Sequence, residues 1–296
     1  MRKYLALMMA VLGFFALPVR ADVIYAHPVI WQIKGKAPRS GTVTLFGSLH
    51  ILPANMDWLT SDIMRNLSRT DVFVFEVPTD APAQDALNSM IAAHGSLPQG
   101  QSLRTMLPAE FLPDYDSVVT AAHLSTSITD HEQPWLVSLQ LNLADTMNRN
   151  YFPDAGVDYV LMSWANAHGR PVRYLETIDQ QFALITPADN DLRLNDFETG
   201  VKSMEQQKDP IAPLVQAWSD GNVTQLGALM DANFAGHAAD KKRLLTDRNR
   251  AWATQIEKML DENNRNFFVT VGAAHLAGAD GVPAMLKADG YLVTGP

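Results

Sequence analysis

A Gly-x-x-His motif that occurs twice, once toward each end, constrains this chain more than any other feature. Gly47-Ser48-Leu49-His50 follows the run Thr42-Val43-Thr44-Leu45-Phe46, and Gly272-Ala273-Ala274-His275 follows Phe267-Phe268-Val269-Thr270-Val271. Short runs of β-branched and aromatic residues read as buried strands. A histidine just past the carboxyl end of such a strand stands where α/β sheets place their ligand chemistry. The glycine ahead of it allows a tight backbone turn. A third run, Val72-Phe73-Val74-Phe75, leads into Glu76 and Pro78. A carboxylate at the end of so apolar a strand is costly unless it is paired or bound to a metal. The plain alternative is that Glu76 reaches solvent or an arginine. His50, Glu76 and His275 share one pocket only if the two ends of the chain join one sheet.

The rest of the pattern fits that demand. Strands are expected over residues 29–34, 42–46, 72–76, 171–176, 267–271 and 291–293, with turn residues 35–41 closing a first hairpin. Residues 51–58 read as a loop, and Ser61 as the cap of a helix that ends near Arg69. Helices are expected over 80–94, 108–122, 134–148 and 154–168, the last closed by Gly169. Further helices fill most of 178–207, 213–230 and 238–262, and one covers 282–288. The fold class is therefore α/β, of the mixed α+β kind. Its central mixed sheet is built from two similar halves, each strand–Gly-x-x-His–helix–strand, flanked by helices and interrupted by a helical middle insertion or cap. Because the pocket needs both ends, residues 22–296 are expected to form a single domain.

The first residues read as a leader rather than as part of the fold. Arg2 and Lys3 precede an uncharged apolar run over residues 4–17, and Val19-Arg20-Ala21 offers small residues for cleavage after Ala21. The run is shorter than the ~20 residues of a membrane-spanning helix, and no cysteine follows it for a lipid anchor. The expectation is a cleaved signal peptide over 1–21, no stable membrane anchor afterwards, and a periplasmic or secreted protein.

The 296 residues contain no cysteine and carry a net charge of −9. The acidic balance, with Lys241-Lys242-Arg243 as the only basic cluster, excludes nucleic acid as an expected partner. An exported chain without disulfides is held by its core or by a metal. Any metal here must use nitrogen and oxygen ligands, which points to zinc, manganese or cobalt. His27, His94, His123, His168 and His237 read as structural. His131-Glu132 begins like the H-E-x-x-H zinc motif, but Pro134 interrupts it and Trp135 holds its fifth position. No G-x-S-x-G elbow, P-loop or dinucleotide glycine pattern is present.

With these residues in view, the chain resembles the TraB/GumN family and the related Tiki metalloproteases. The first block runs from Trp31 through Leu45-Phe46-Gly47-Ser48-Leu49-His50 to Asp71-Val72-Phe73-Val74-Phe75-Glu76. A middle block has Gly156-Val157-Asp158, Ala165, Gly169-Arg170-Pro171 and Leu175-Glu176-Thr177. A C-terminal block has Arg248-Asn249, Val271-Gly272-Ala273-Ala274-His275-Leu276, Gly278, Gly281 and Gly290-Tyr291. Ser48 stands where the family usually has threonine and keeps the hydroxyl. The resemblance implies a metal-dependent hydrolase, foremost a peptidase acting on a peptide or protein, with His50, Glu76 and His275 holding one divalent cation. Glu176 would be a general base or a partner of the ligands. Arg248 and Asn249 would steady an oxyanion or anchor the carboxylates, and Ser48 would orient a ligand. The erythromycin esterases and ChaN-like haem binders of the wider superfamily leave two alternatives. One is a periplasmic haem-, peptide- or glycan-binding protein without catalysis; the other is a catalytically dead scaffold. Residues 179–245 carry little of the family pattern.

Overall fold

The computed structural model describes residues 22–186, 193–206, 209–262 and 264–296. The leader expected over 1–21 lies outside the described residues, as do parts of the helical stretch expected over 178–207. Six strands form one mixed sheet. In chain order they are β1 (Ile30–Lys34), β2 (Thr42–Ser48), β3 (Val72–Phe75), β4 (Val172–Tyr174), β5 (Asn266–Gly272) and β6 (Leu292–Thr294). Across the sheet the order is β6-β1-β2-β5-β3-β4. β2, β5, β3 and β4 run parallel, and β1 is antiparallel to β2 and β6. β5 comes from the far end of the chain yet lies between β2 and β3, with Ser48 opposite Gly272.

The central strands are apolar on both sides because helices cover both faces. On one face Phe46, Phe73, Phe75 and Phe268 pack with Trp58 and Trp218. On the other, Val43, Leu45, Val74, Val269 and Val271 pack under Trp252, Ile256, Leu260, Val282 and Leu286. Helices Leu112–Ala121, Pro134–Asn148 and Leu194–Glu205 bury Tyr115, Val119, Val137, Leu141, Phe197 and Val201 against one another as a separate core. This is the helical cap expected from the middle of the sequence.

The two halves leave the sheet in opposite directions. From β2 the chain passes through helix Ser61–Arg69 to β3; Ile63 and Leu67 of that helix join the phenylalanine face. From β5 it passes through helix Val282–Ala288 to β6; Val282 and Leu286 join the opposite face. Right-handed crossovers that travel in opposite directions must lie on opposite faces. The adjacent carboxyl ends of β2 and β5 are therefore a topological switch point, where open α/β sheets keep their ligand crevice. Both Gly-x-x-His motifs fall there.

Several local expectations are corrected. Gly47 and Ser48 are the last residues of β2 rather than a turn beyond it. Neither Gly47 nor Gly272 needs a positive φ. Gly47 is small because the second motif approaches it: a Cβ there would stand 3.0 Å from Ala273 Cα. Residues 51–58 hold two short strands, Leu52–Pro53 pairing with Tyr151–Phe152 and Met56–Asp57 with Ile24–Tyr25. The first helix is capped by Thr60, whose hydroxyl accepts from Ile63 N, and not by Ser61. The helix expected over 213–230 is two, Ala212–Ser219 and Val223–Asn233, parted at Gly221 with φ +66°. Among the described residues no helix is long and apolar enough to cross a membrane.

Candidate functional site

Helix Asp247–Leu260 lies along one face of the sheet, burying Asn249, Trp252, Ala253, Ile256 and Leu260 at helical spacing. Its first turn reaches the strand ends. A π-helical stretch, Lys242–Thr246, runs directly into it. Such widened turns recur at functional sites because they free carbonyls and rotate side chains. Here the Leu244 carbonyl accepts from Arg248 Nη1 at 3.1 Å.

Arg248 is fully committed. Its Nε donates to Glu176 Oε1 at 2.8 Å, and its Nη2 to Glu76 Oε2 at 2.7 Å and Glu176 Oε2 at 3.1 Å. Its Nη1 donates to His275 Nε2 at 3.1 Å. With Leu244, five acceptors meet the five N–H groups of the guanidinium. The plane stacks over Trp252, 4.5 Å from the ring centroid. Burial opposes the charge, but the hydrogen bond to Glu176 and the charges of Glu76 and Glu176 outweigh it, so the Arg248 pKa is raised. One side chain thus ties together the ends of β3, β4 and β5.

Glu76 is buried and reaches an arginine, which was the plain alternative to a metal. Besides Arg248 it accepts from Gly272 N at 2.6 Å. Glu176 accepts from Gln181 Nε2 at 2.7 Å as well as from Arg248. His275 is buried, and its Nδ1 lies 2.5 Å from Asn249 Oδ1. Asn249 Nδ2 donates to Asp280 O at 2.7 Å, so its Oδ1 faces the ring and Nδ1 carries the proton. Nε2 is then the lone pair that accepts from Arg248 Nη1. Burial, then the charges of Arg248 and His50, hold the His275 pKa well below 6.5, and the ring stays neutral.

His50 presents the same arrangement at the open side. Its Nδ1 donates to Asp158 Oδ2 at 2.7 Å, leaving Nε2 without an assigned bond. Gly156 explains the placement, because a Cβ there would stand 2.1 Å from His50 O. Val157 N donates to Leu49 O at 3.0 Å. The start of helix Val157–Ala167 is thereby pressed under the first motif, with Asp158 beside the ring. On the other side Trp218 Nε1 donates to Gly47 O at 2.8 Å. The hydrogen bond to Asp158 raises the His50 pKa to about 9; the charges of Asp158 and Glu76 add to this against desolvation. The Ser48 hydroxyl is buried at the end of β2 and finds no hydrogen-bond partner among the described residues.

The structure brings all the expected site residues to one end of the sheet. Sequence reasoning missed Asp158, Gln181, Trp218 and Trp252 as parts of the site. Only Asp158 had a signal, in Gly156-Val157-Asp158, and its meaning needs the Gly156–His50 contact. A pocket of about 300 Å³ opens beside His50 and Glu76, lined also by Phe75, Asp158, Tyr159 and Met162.

Two imidazole nitrogens and a carboxylate suit zinc, manganese or cobalt in kind. Each histidine has its Nδ1 held by an oxygen, which is how metal-ligating histidines are oriented. Among the described residues, however, no group of three His, Asp or Glu side chains stands ready to hold an ion. The cation shared by Glu76 and His275 is the Arg248 guanidinium. The donor set fits a divalent cation in chemistry and ring orientation, with Arg248 as the competitor.

A mixed α/β sheet with paired Gly-x-x-His motifs at its switch point defines the class, and the chain belongs to the TraB/PrgY/gumN family, which it matches over residues 29–295. It is similar to the protein named YbaP of Escherichia coli (strain K12), 22% identical over 283 residues, covering 90% of this chain and 100% of that protein. It is also 22% identical over 249 residues to the YbaP of Shigella flexneri, covering 82% of this chain and 87% of that protein. No solved structure matches significantly.

Replacing Arg248 with methionine leaves Glu76 and Glu176 buried without a counter-charge. The expected loss is on the order of 3–5 kcal/mol, read from urea unfolding; a loss under about 1 kcal/mol would contradict the role given to Arg248.

The histidines set opposite pH slopes in the metal-free protein. His50 keeps its proton to about 9 when folded, against 6.5 ordinarily. The folded state therefore binds more protons in that window, and its stability falls as pH rises through it. Solvent screening at a side chain 69% exposed reduces the shift and with it the slope. His275 is held neutral, so unfolding takes up a proton below 6.5 and stability falls as pH drops. An NMR titration should place the His50 midpoint above 6.5 and move it toward 6.5 in Asp158→Asn. A parent midpoint at 6.5 would refute the pairing.

Proposed function

We propose that the protein is an exported, metal-dependent hydrolase of peptides or proteins, working in the periplasm or outside the cell. His50, Glu76 and His275 would hold one manganese, cobalt or zinc ion. The observation that supports this best is that each histidine has its Nδ1 held by an oxygen acceptor. His50 keeps Nε2 for the crevice that also holds Glu76, and the Nε2 lone pair of His275 is the one that Arg248 occupies. A bound ion would polarise a carbonyl and lower the pKa of a water molecule.

The chain's own residues have distinct tasks in this reading. Asp158 and Asn249 keep the rings turned so that Nε2 faces inward. Glu176 acts as the anchor of Arg248, the second of its two expected roles, because both its oxygens are engaged. Arg248, so anchored, keeps positive charge beside the reacting group, where a developing oxyanion needs it. Ser48 offers its hydroxyl from beneath the first motif.

Metal analysis of the purified protein tests this, with His50→Ala, Glu76→Ala and His275→Ala alongside. The parent should carry stoichiometric metal and cleave a mixed fluorogenic peptide pool until chelator is added. Added metal should stabilise it by about 2.7 kcal/mol at about 100 times the dissociation constant. Each variant should lose all three effects. Equal metal content in the four proteins would sink the site. A strong haem band lost in His50→Ala, without peptide cleavage, would favour a binding protein instead.

A further inference from the structure

The pocket beside His50 has a chemistry that the expected ligands do not use. Its inner end carries Glu76 and Asp158, but its walls are Phe75, Val77, Tyr159 and Met162. Phe75 is buried in the aromatic layer of the sheet, Met162 packs partly against that layer, and Tyr159 is 60% exposed at the rim. Asp158 and Met162 lie four residues apart on helix Val157–Ala167 and so share one face of it. The helix that orients His50 therefore also supplies an apolar wall next to it.

We infer that this pocket takes a large, uncharged apolar side chain, so that the substrate is a peptide with such a residue next to the bond cleaved. Charge decides against the alternatives. Glu76 is neutralised by Arg248, Asp158 is paired with His50, and Gln181 is engaged by Glu176. A lysine head would find no uncommitted carboxylate, and an acidic side chain would find only His50, already paired with Asp158. Size decides against a bulky ligand. At about 300 Å³ the pocket sits at the bottom of the range for small-molecule sites. That suits a leucine, methionine or phenylalanine side chain, not an extended glycan. The position of the cleaved bond rests on the hydrolase reading above; the side-chain preference does not.

Binding and cleavage are measured separately on the purified protein. The probes are acetyl-Gly-X-amides with X as Leu, Phe, Ala, Glu or Lys. Binding is followed by NMR with chelator present, and cleavage with fluorogenic peptides of the same series in manganese or zinc. Leu and Phe should bind on the order of tenfold more tightly than Ala, Glu or Lys. Tyr159→Ala, which removes an exposed ring and leaves the fold intact, should weaken Leu and Phe several-fold and Ala little. Met162→Glu, checked for folding by its melt, should abolish the preference. Equal binding across the series overturns the inference, as does a preference that both variants leave unchanged. Selective binding with no cleavage supports the pocket and counts against the hydrolase reading. Cleavage with no side-chain preference does the reverse.

Discussion

The Arg248 guanidinium is the joint on which this end of the molecule depends. Parallel strands bring their carboxyl ends together, and in this chain three of those ends carry Glu76, Glu176 and His275. Two buried carboxylates side by side would repel and pay the full cost of lost hydration. A single fork donates to both and to Nε2 of the neutral imidazole, and rests on Trp252. Lysine could not replace it, since a point charge lacks the five directed donors that the arrangement uses. The π-helical turn before Asp247 belongs to the same device, because it supplies the Leu244 carbonyl that satisfies the remaining donor.

The topology explains why such a joint is needed and why a crevice lies next to it. β5 is inserted between β2 and β3, so the two motifs come to lie on neighbouring strands from which the chain departs in opposite directions. Their closeness is set by Gly47, which leaves room for Ala273, and by Gly156, which lets helix Val157–Ala167 sit against His50. The two histidines differ in kind as a result. His275 is sealed and neutral, whereas His50 stands at the rim with Asp158 and keeps its proton. A site of this form has one fixed inner nitrogen and one solvent-facing nitrogen, with apolar walls extending from the second.

Much of this was legible in the sequence, for physical reasons. The central strands are buried on two faces, so β2, β3 and β5 appear as unbroken apolar runs. The cap and cover helices keep their period, and Pro134–Asn148 and Val157–Ala167 end near where the pattern ends. Glu76, Glu176 and the two motif histidines stood out because a polar group at the end of an apolar strand has few explanations, whereas Ser48, Arg248 and Asn249 came from the family resemblance. What the sequence hid was contact across the fold. Nothing near Gly47 announces that its neighbour is Ala273, nor that Trp218 hydrogen-bonds its carbonyl. The fan of Arg248 was hidden for the same reason, since its partners are spread over three distant strand ends. The π-helical turn was hidden because it interrupts neither composition nor apolar period. Short strands such as Leu52–Pro53 were missed because two residues give no period to read.

The central proposal is that His50, Glu76 and His275 close on one divalent cation at the switch of the sheet, where Arg248 now bonds Glu76 and His275. Anomalous diffraction from a crystal grown with manganese tests this most directly. The account predicts one strong peak within bonding distance of both Nε2 atoms and a Glu76 oxygen, while Asp158 and Asn249 still hold the Nδ1 atoms. No peak there under saturating manganese, with Arg248 still bridging Glu76 and Glu176, would contradict it.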